Sequence, residues 1–257
     1  MIDFLLALVC LAVLALIFFH RWYFLEKGSL FGKMVMRATH LLPKSLSKED
    51  HEVTAKEMIP DASTVDTKLK VKGESFFKKA EQEIKRKNWG EAERLLIKAL
   101  AMDPSHLEAH ARLGSLYLNQ EQYAKAELIY RKLVLAVDNE AVYFSNLGLA
   151  LFQQEKFVEA KEFYEKAIEL DPNRAGRFYS LARVNHLLDE METAFRNIEK
   201  ALEMDPDNLD YGLTLAHWQV EKGMYNEAKN ILENILKHWP DNTDAAEMMK
   251  QVEEAIK

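Results

Sequence analysis

Five alanines, Ala92, Ala126, Ala160, Ala194 and Ala228, stand 34 residues apart without interruption. A period that long and regular fits one supersecondary unit stacked along a line, because each unit can bury its apolar face only against its neighbours. Aligned on this ladder, residues 73–242 divide into five units: 73–106, 107–140, 141–174, 175–208 and 209–242. Position 8 of each unit is small (Ala80, Gly114, Gly148, Ala182, Ala216), and position 24 is bulky (Leu96, Tyr130, Tyr164, Ile198, Leu232). Position 17 is large and mostly aromatic (Trp89, Tyr123, Phe157, Met191, Tyr225). Small residues let two helices approach closely, and large ones fill the space left between them.

With only 9 Gly and 6 Pro among 257 residues, and Ala, Leu, Glu and Lys abundant, the composition predicts an almost wholly α-helical chain. The prolines punctuate it. Pro104, Pro172, Pro206 and Pro240 occupy position 32 of four units, where each closes a helix. The second unit has Val137-Asp138-Asn139 instead, residues able to turn the chain and cap the next helix.

This pattern resembles the tetratricopeptide repeat: a 34-residue period, small at 8, alanine at 20, proline at 32, with Leu113-Gly114 and Leu147-Gly148 as the leucine-glycine pair. The resemblance implies an all-α, right-handed solenoid of five helix-turn-helix units whose first helices line a concave groove. Residues 243–257 fit a capping helix, with Ala245, Met248, Met249, Val252, Ala255 and Ile256 on an apolar face and Glu247, Lys250, Glu253 and Glu254 in water.

In that family the groove side chains come mainly from positions 2, 5, 6, 9, 12 and 13 of each first helix. Carried onto this chain, the candidate peptide-binding residues are Arg112, Asn146, Leu149, Phe152, Tyr179, Arg183, His186 and His217. Apolar sockets around Leu149, Phe152 and Tyr179, with Arg183 and two histidines beside them, would suit a peptide carrying hydrophobic anchors and an acidic group. Asn146 is expected to hold peptide backbone, since an amide offers donor and acceptor together. The lysine and asparagine clamp of chaperone-tail readers is not reproduced: Phe77 and Glu81 stand at those positions.

Ahead of the repeats, Phe4 to Phe19 contains no charged or hydrogen-bonding side chain apart from the thiol of Cys10. Residues 1–24 are therefore read as a transmembrane anchor, with Trp22 and Tyr23 at an interface. Arg21, Lys27, Lys33, Arg37, Lys44 and Lys48 follow the span and predict that the bulk of the chain is cytoplasmic, with the N-terminus outside. Residues 25–43 read as a basic amphipathic juxtamembrane helix and 44–72 as a linker.

Catalytic signatures are sparse. His106 and His110 have a spacing able to grip a metal, yet position 4 of a repeat normally packs between units. Cys10 is the single cysteine, so this chain alone builds neither a disulfide framework nor a thiolate metal site. No phosphate loop, nucleophile elbow or zinc-protease motif is present, and no cofactor or metal is expected. The formal charge of −7 is uneven: residues 73–257 carry 24 Lys/Arg against 33 Asp/Glu, which disfavours nucleic-acid binding.

The expected function is a non-enzymatic, membrane-anchored adaptor that binds a partner's peptide segment in the groove. Alternatives are the same array outside the membrane in a secretion or pilus machine, or a regulatory subunit of an enzyme.

Overall fold

The computed structural model describes residues 59–257, and within them the chain is helical, with no strand. The anchor expected at 1–24, the amphipathic helix at 25–43 and most of the linker lie outside the described residues. Among those described, no helix is long and apolar enough to cross a membrane.

After a short 3-10 turn at Ala62–Thr64, helices pair in sequence. They are α1 Thr67–Lys85 with α2 Trp89–Met102, α3 Leu107–Asn119 with α4 Tyr123–Ala136, and α5 Ala141–Phe152 with α6 Phe157–Leu170. Then come α7 Ala175–Leu187 with α8 Met191–Met204, α9 Leu209–Glu221 with α10 Tyr225–His238, and finally α11 Thr243–Ile256. The first helix begins six residues ahead of the unit boundary expected at 73. Asp66 caps it, its carboxylate accepting the Lys68 N–H at 2.7 Å, and Ile59 is buried in the first core cluster. Part of the expected linker therefore belongs to the folded array.

All five ladder alanines are fully buried, as are Ala80, Ala182 and Ala216 at position 8. Each sits where helices cross, and the bulky position 24 packs there too: Leu96, Tyr130, Tyr164, Ile198 and Leu232 are all buried. Leu147, Leu151, Tyr164 and Val184 belong to one core cluster that runs from α1 to α7, and two further clusters join α7 to α9 and α9 to α11.

The turn inside every unit has the same construction. Position 15 adopts a left-handed backbone, with φ of 59° at Lys87, 58° at Glu121, 60° at Glu155, 58° at Asp189 and 72° at Gly223. The next residue's N–H returns to a carbonyl five residues earlier, as in Asn88 to Glu83, Gln122 to Tyr117, Lys156 to Leu151, Glu190 to Asn185 and Met224 to Gln219. This is a Schellman closure, which satisfies carbonyls otherwise orphaned at a helix end. Between units, His106, Asn208 and Asn242 cap α3, α9 and α11 through their side chains.

Polar contacts tie neighbouring units together. Arg177 is buried; its Nε donates to Ser145 Oγ at 3.1 Å, and its guanidinium also meets the carbonyl and carboxylate of Asp171. That pairing holds the Asp171 carboxyl below its ordinary range. Lys156 and Arg131 both reach Glu127, Arg131 continues to Glu159, and Lys161 pairs with Glu190.

Candidate functional site: the lining of the first helices

A helix presents residues i, i+4 and i+7 on one face. In α7 those residues are Tyr179, Arg183 and His186, and in α9 the equivalent pair is Leu213 and His217. Together with Phe152 at the end of α5, they line one cavity of about 730 Å³. Five of the eight candidate groove residues thus come together: Phe152, Tyr179, Arg183, His186 and His217.

The geometry within this cavity is specific. The Arg183 guanidinium lies 4.7 Å from the Phe152 ring centre and 5.7 Å from that of Tyr179, a double cation–π arrangement that holds an exposed cation in place. Tyr179 packs against Tyr211 at 4.7 Å, and its hydroxyl is 3.3 Å from Thr214 Oγ1. His186 stacks on Trp218 with ring centres 4.5 Å apart and planes 6° from parallel. Its Nε2 is 3.3 Å from Glu221, which also faces His217 Nε2 at 3.5 Å. Among the described residues, Arg183 forms no ion pair. It is left with its charge turned to the cavity.

The far wall comes from α11, through Asp244, Glu247, Met248 and Gln251. Reading α11 only as an amphipathic cap missed this wall. The signal was available: Thr243 lies 34 residues after Leu209, so these four occupy positions 2, 5, 6 and 9 of a sixth first helix. Trp218 and Thr214 also line the cavity without having been singled out.

Arg112 and Asn146 lie elsewhere, in a second depression of about 420 Å³ with Phe77, Glu81, Ser115 and Tyr130. Both already have partners. Arg112 Nε is 2.9 Å from Glu81, and Asn146 Nδ2 donates to the Tyr130 hydroxyl at 2.9 Å. Burial pushes the Tyr130 phenol up to about 12, keeping it a neutral acceptor for that amide. One amide hydrogen expected to meet peptide backbone is therefore engaged within the fold. Leu149 lines neither depression and packs half-buried against the first core cluster.

The two spaced histidines serve local structure. His106 Nδ1 accepts the Ala109 N–H at 3.4 Å, while Nε2 meets Glu74 at 3.1 Å. His110 is buried with Nε2 3.0 Å from the Pro104 carbonyl oxygen, and burial lowers its pKa. Their ring nitrogens are thus directed to different partners.

Family profiles described as tetratricopeptide repeat match residues 141–174, which is the third unit, and residues 83–147 and 188–252, more than half of the chain. The chain is a tetratricopeptide repeat protein. No curated protein matches it across its sequence. Several solved structures share its fold. The MamA crystal structure is 22% identical over 64% of this chain and 90% of its own, with a TM-score of 0.60. YrrB, described as a TPR protein with an unusual peptide-binding site, is 21% identical over 68% of this chain and 90% of its own, also at 0.60. PilF of Pseudomonas aeruginosa is 22% identical over 73% and 93%, at 0.57.

Proposed function

We propose that this tetratricopeptide repeat protein is a membrane-anchored adaptor that binds a partner's peptide segment in the cavity between α5 and α11 and performs no catalysis of its own. The observation that carries the reading is Arg183, an exposed guanidinium held over two aromatic rings in a cavity with apolar groups beside it, which forms no ion pair among the described residues. Such a cation favours an acidic group on a ligand whose apolar anchor packs beside Phe152, Leu213 and Trp218. YrrB, with the same fold, has a peptide-binding site, which supports a peptide as the ligand class. Arg183→Glu is expected to reduce capture of the partner crosslinked to the array in native membranes, with the thermal unfolding transition unchanged. Equal capture would sink the reading.

The anchoring part rests on the uncharged run from Phe4 to Phe19 and the basic residues after it. These support an N-terminus outside and a cytoplasmic array. Alkaline carbonate should leave the protein in the membrane fraction, and protease added to sealed inside-out vesicles should digest 73–257. Release by carbonate would remove the anchor; protection in those vesicles would reverse the orientation.

A further inference from the structure

Two carboxylates face the same cavity from its opposite end. Asp244 and Glu247 project from α11, and among the described residues neither forms an ion pair. Asp244 has a local role available, because it sits in the first turn of α11 and complements the helix dipole. Glu247 lies beyond that turn and has no such role. Arg183 therefore stands at one end of the cavity and an acidic pair at the other, with Leu213, Trp218 and Met248 among the apolar groups lining it.

Building on the groove reading above, we propose that α11 is a specificity element as well as a cap. Asp244 and Glu247 bind a lysine or arginine of the partner segment, so the cavity accepts a peptide with an acidic residue at the α7 end and a basic residue at the α11 end. The charges fix the direction in which the segment lies. Two helix-to-helix steps of roughly 10 Å separate α7 from α11. An extended chain advancing about 3.3 Å per residue covers that span in about six residues. The acid and the base are thus about five to seven positions apart, with a large apolar residue between them.

The test is a selection of random dodecapeptides displayed on phage, using the purified full-length chain in detergent. The wild type should enrich sequences with an acid, an apolar anchor and a Lys or Arg at that spacing. Asp244→Asn with Glu247→Gln should lower the Lys/Arg enrichment about tenfold, the size of two exposed ion pairs, and retain the acid. Arg183→Gln should do the reverse. Glu247→Gln alone, which leaves the helix dipole untouched, should give an intermediate loss with an unchanged melting temperature. Lys/Arg enrichment that is absent, or that is equal in the double variant, overturns the role of α11 while the acid preference still supports the groove. If the wild type enriches nothing beyond a Leu213→Glu variant that blocks the cavity, the groove reading falls and this inference falls with it.

Discussion

Gly148→Ala is expected to weaken the array in the natural chain and to strengthen it once Tyr164 has been replaced by leucine. Gly148 lies inside α5, where alanine is intrinsically better than glycine by about 1 kcal/mol. A methyl added there would sit 3.0 Å from two carbons of the Tyr164 ring and 3.1 Å from a third, against an ordinary carbon–carbon contact of about 3.5–4.0 Å. Tyr164 is 3% exposed and has little room to withdraw, so overpacking of about 1–3 kcal/mol outweighs the propensity gain. The repeats themselves suggest the remedy. Units with glycine at position 8 have tyrosine at position 24 (Gly114 with Tyr130, Gly148 with Tyr164), and units with alanine have leucine or isoleucine (Ala80 with Leu96, Ala182 with Ile198, Ala216 with Leu232). Tyr164→Leu alone should cost about 2 kcal/mol through the space it leaves. Gly148→Ala added to it should restore up to about 1 kcal/mol, giving a coupling of about 2 kcal/mol between the two sites. Urea denaturation of the four proteins, followed by far-ultraviolet circular dichroism, measures this cycle. If Gly148→Ala has the same effect in both backgrounds, the close contact does not govern the choice of residue. The second unit is a poorer place for the test, because Tyr130 also accepts the Asn146 amide.

Two further predictions concern stability. Glu155→Gly should raise the melting temperature, since a non-glycine residue at φ 60° costs about 1–2 kcal/mol and glycine gives back only part of that in chain entropy; Gly223→Ala should lower it by the same argument. His110 should make the array less stable as the pH falls below about 6.5. Its pKa is lowered by burial, so the unfolded chain takes up the proton first, and the loss continues down to the folded pKa at no more than about 1.4 kcal/mol per pH unit. Lys132 and His106 reinforce the lowering, while the Pro104 carbonyl and Asp103 oppose it. His110→Gln should flatten the dependence of the urea midpoint between pH 7.5 and 5.0, and an undiminished slope would assign it to other groups.

How much of this was legible in the sequence differs by position. The ladder alanines and their partners at position 24 could be read directly, because burial at a helix crossing restricts residue size and the restriction recurs every 34 residues. The turn at position 15 could not. Left-handed backbone announces itself through glycine, and here only Gly223 does so; Lys87, Glu121, Glu155 and Asp189 adopt the same conformation because the helices on either side dictate it. The site shows the same division. Register placed Tyr179, Arg183 and His186 on one face, since that depends on helical period alone. Whether a side chain on that face is available depends on what its neighbour offers. Arg112 meets Glu81 across the groove, whereas the corresponding reach of Arg183 ends on Phe152 and Tyr179, rings that hold a cation without neutralising it. A single carboxylate therefore separates a paired groove arginine from one with its charge free, and it lies in a different repeat. That is why α11 matters to the site. Among the described residues Asp244 and Glu247 form no ion pair, and the cavity keeps opposite charges at its two ends for a ligand to join.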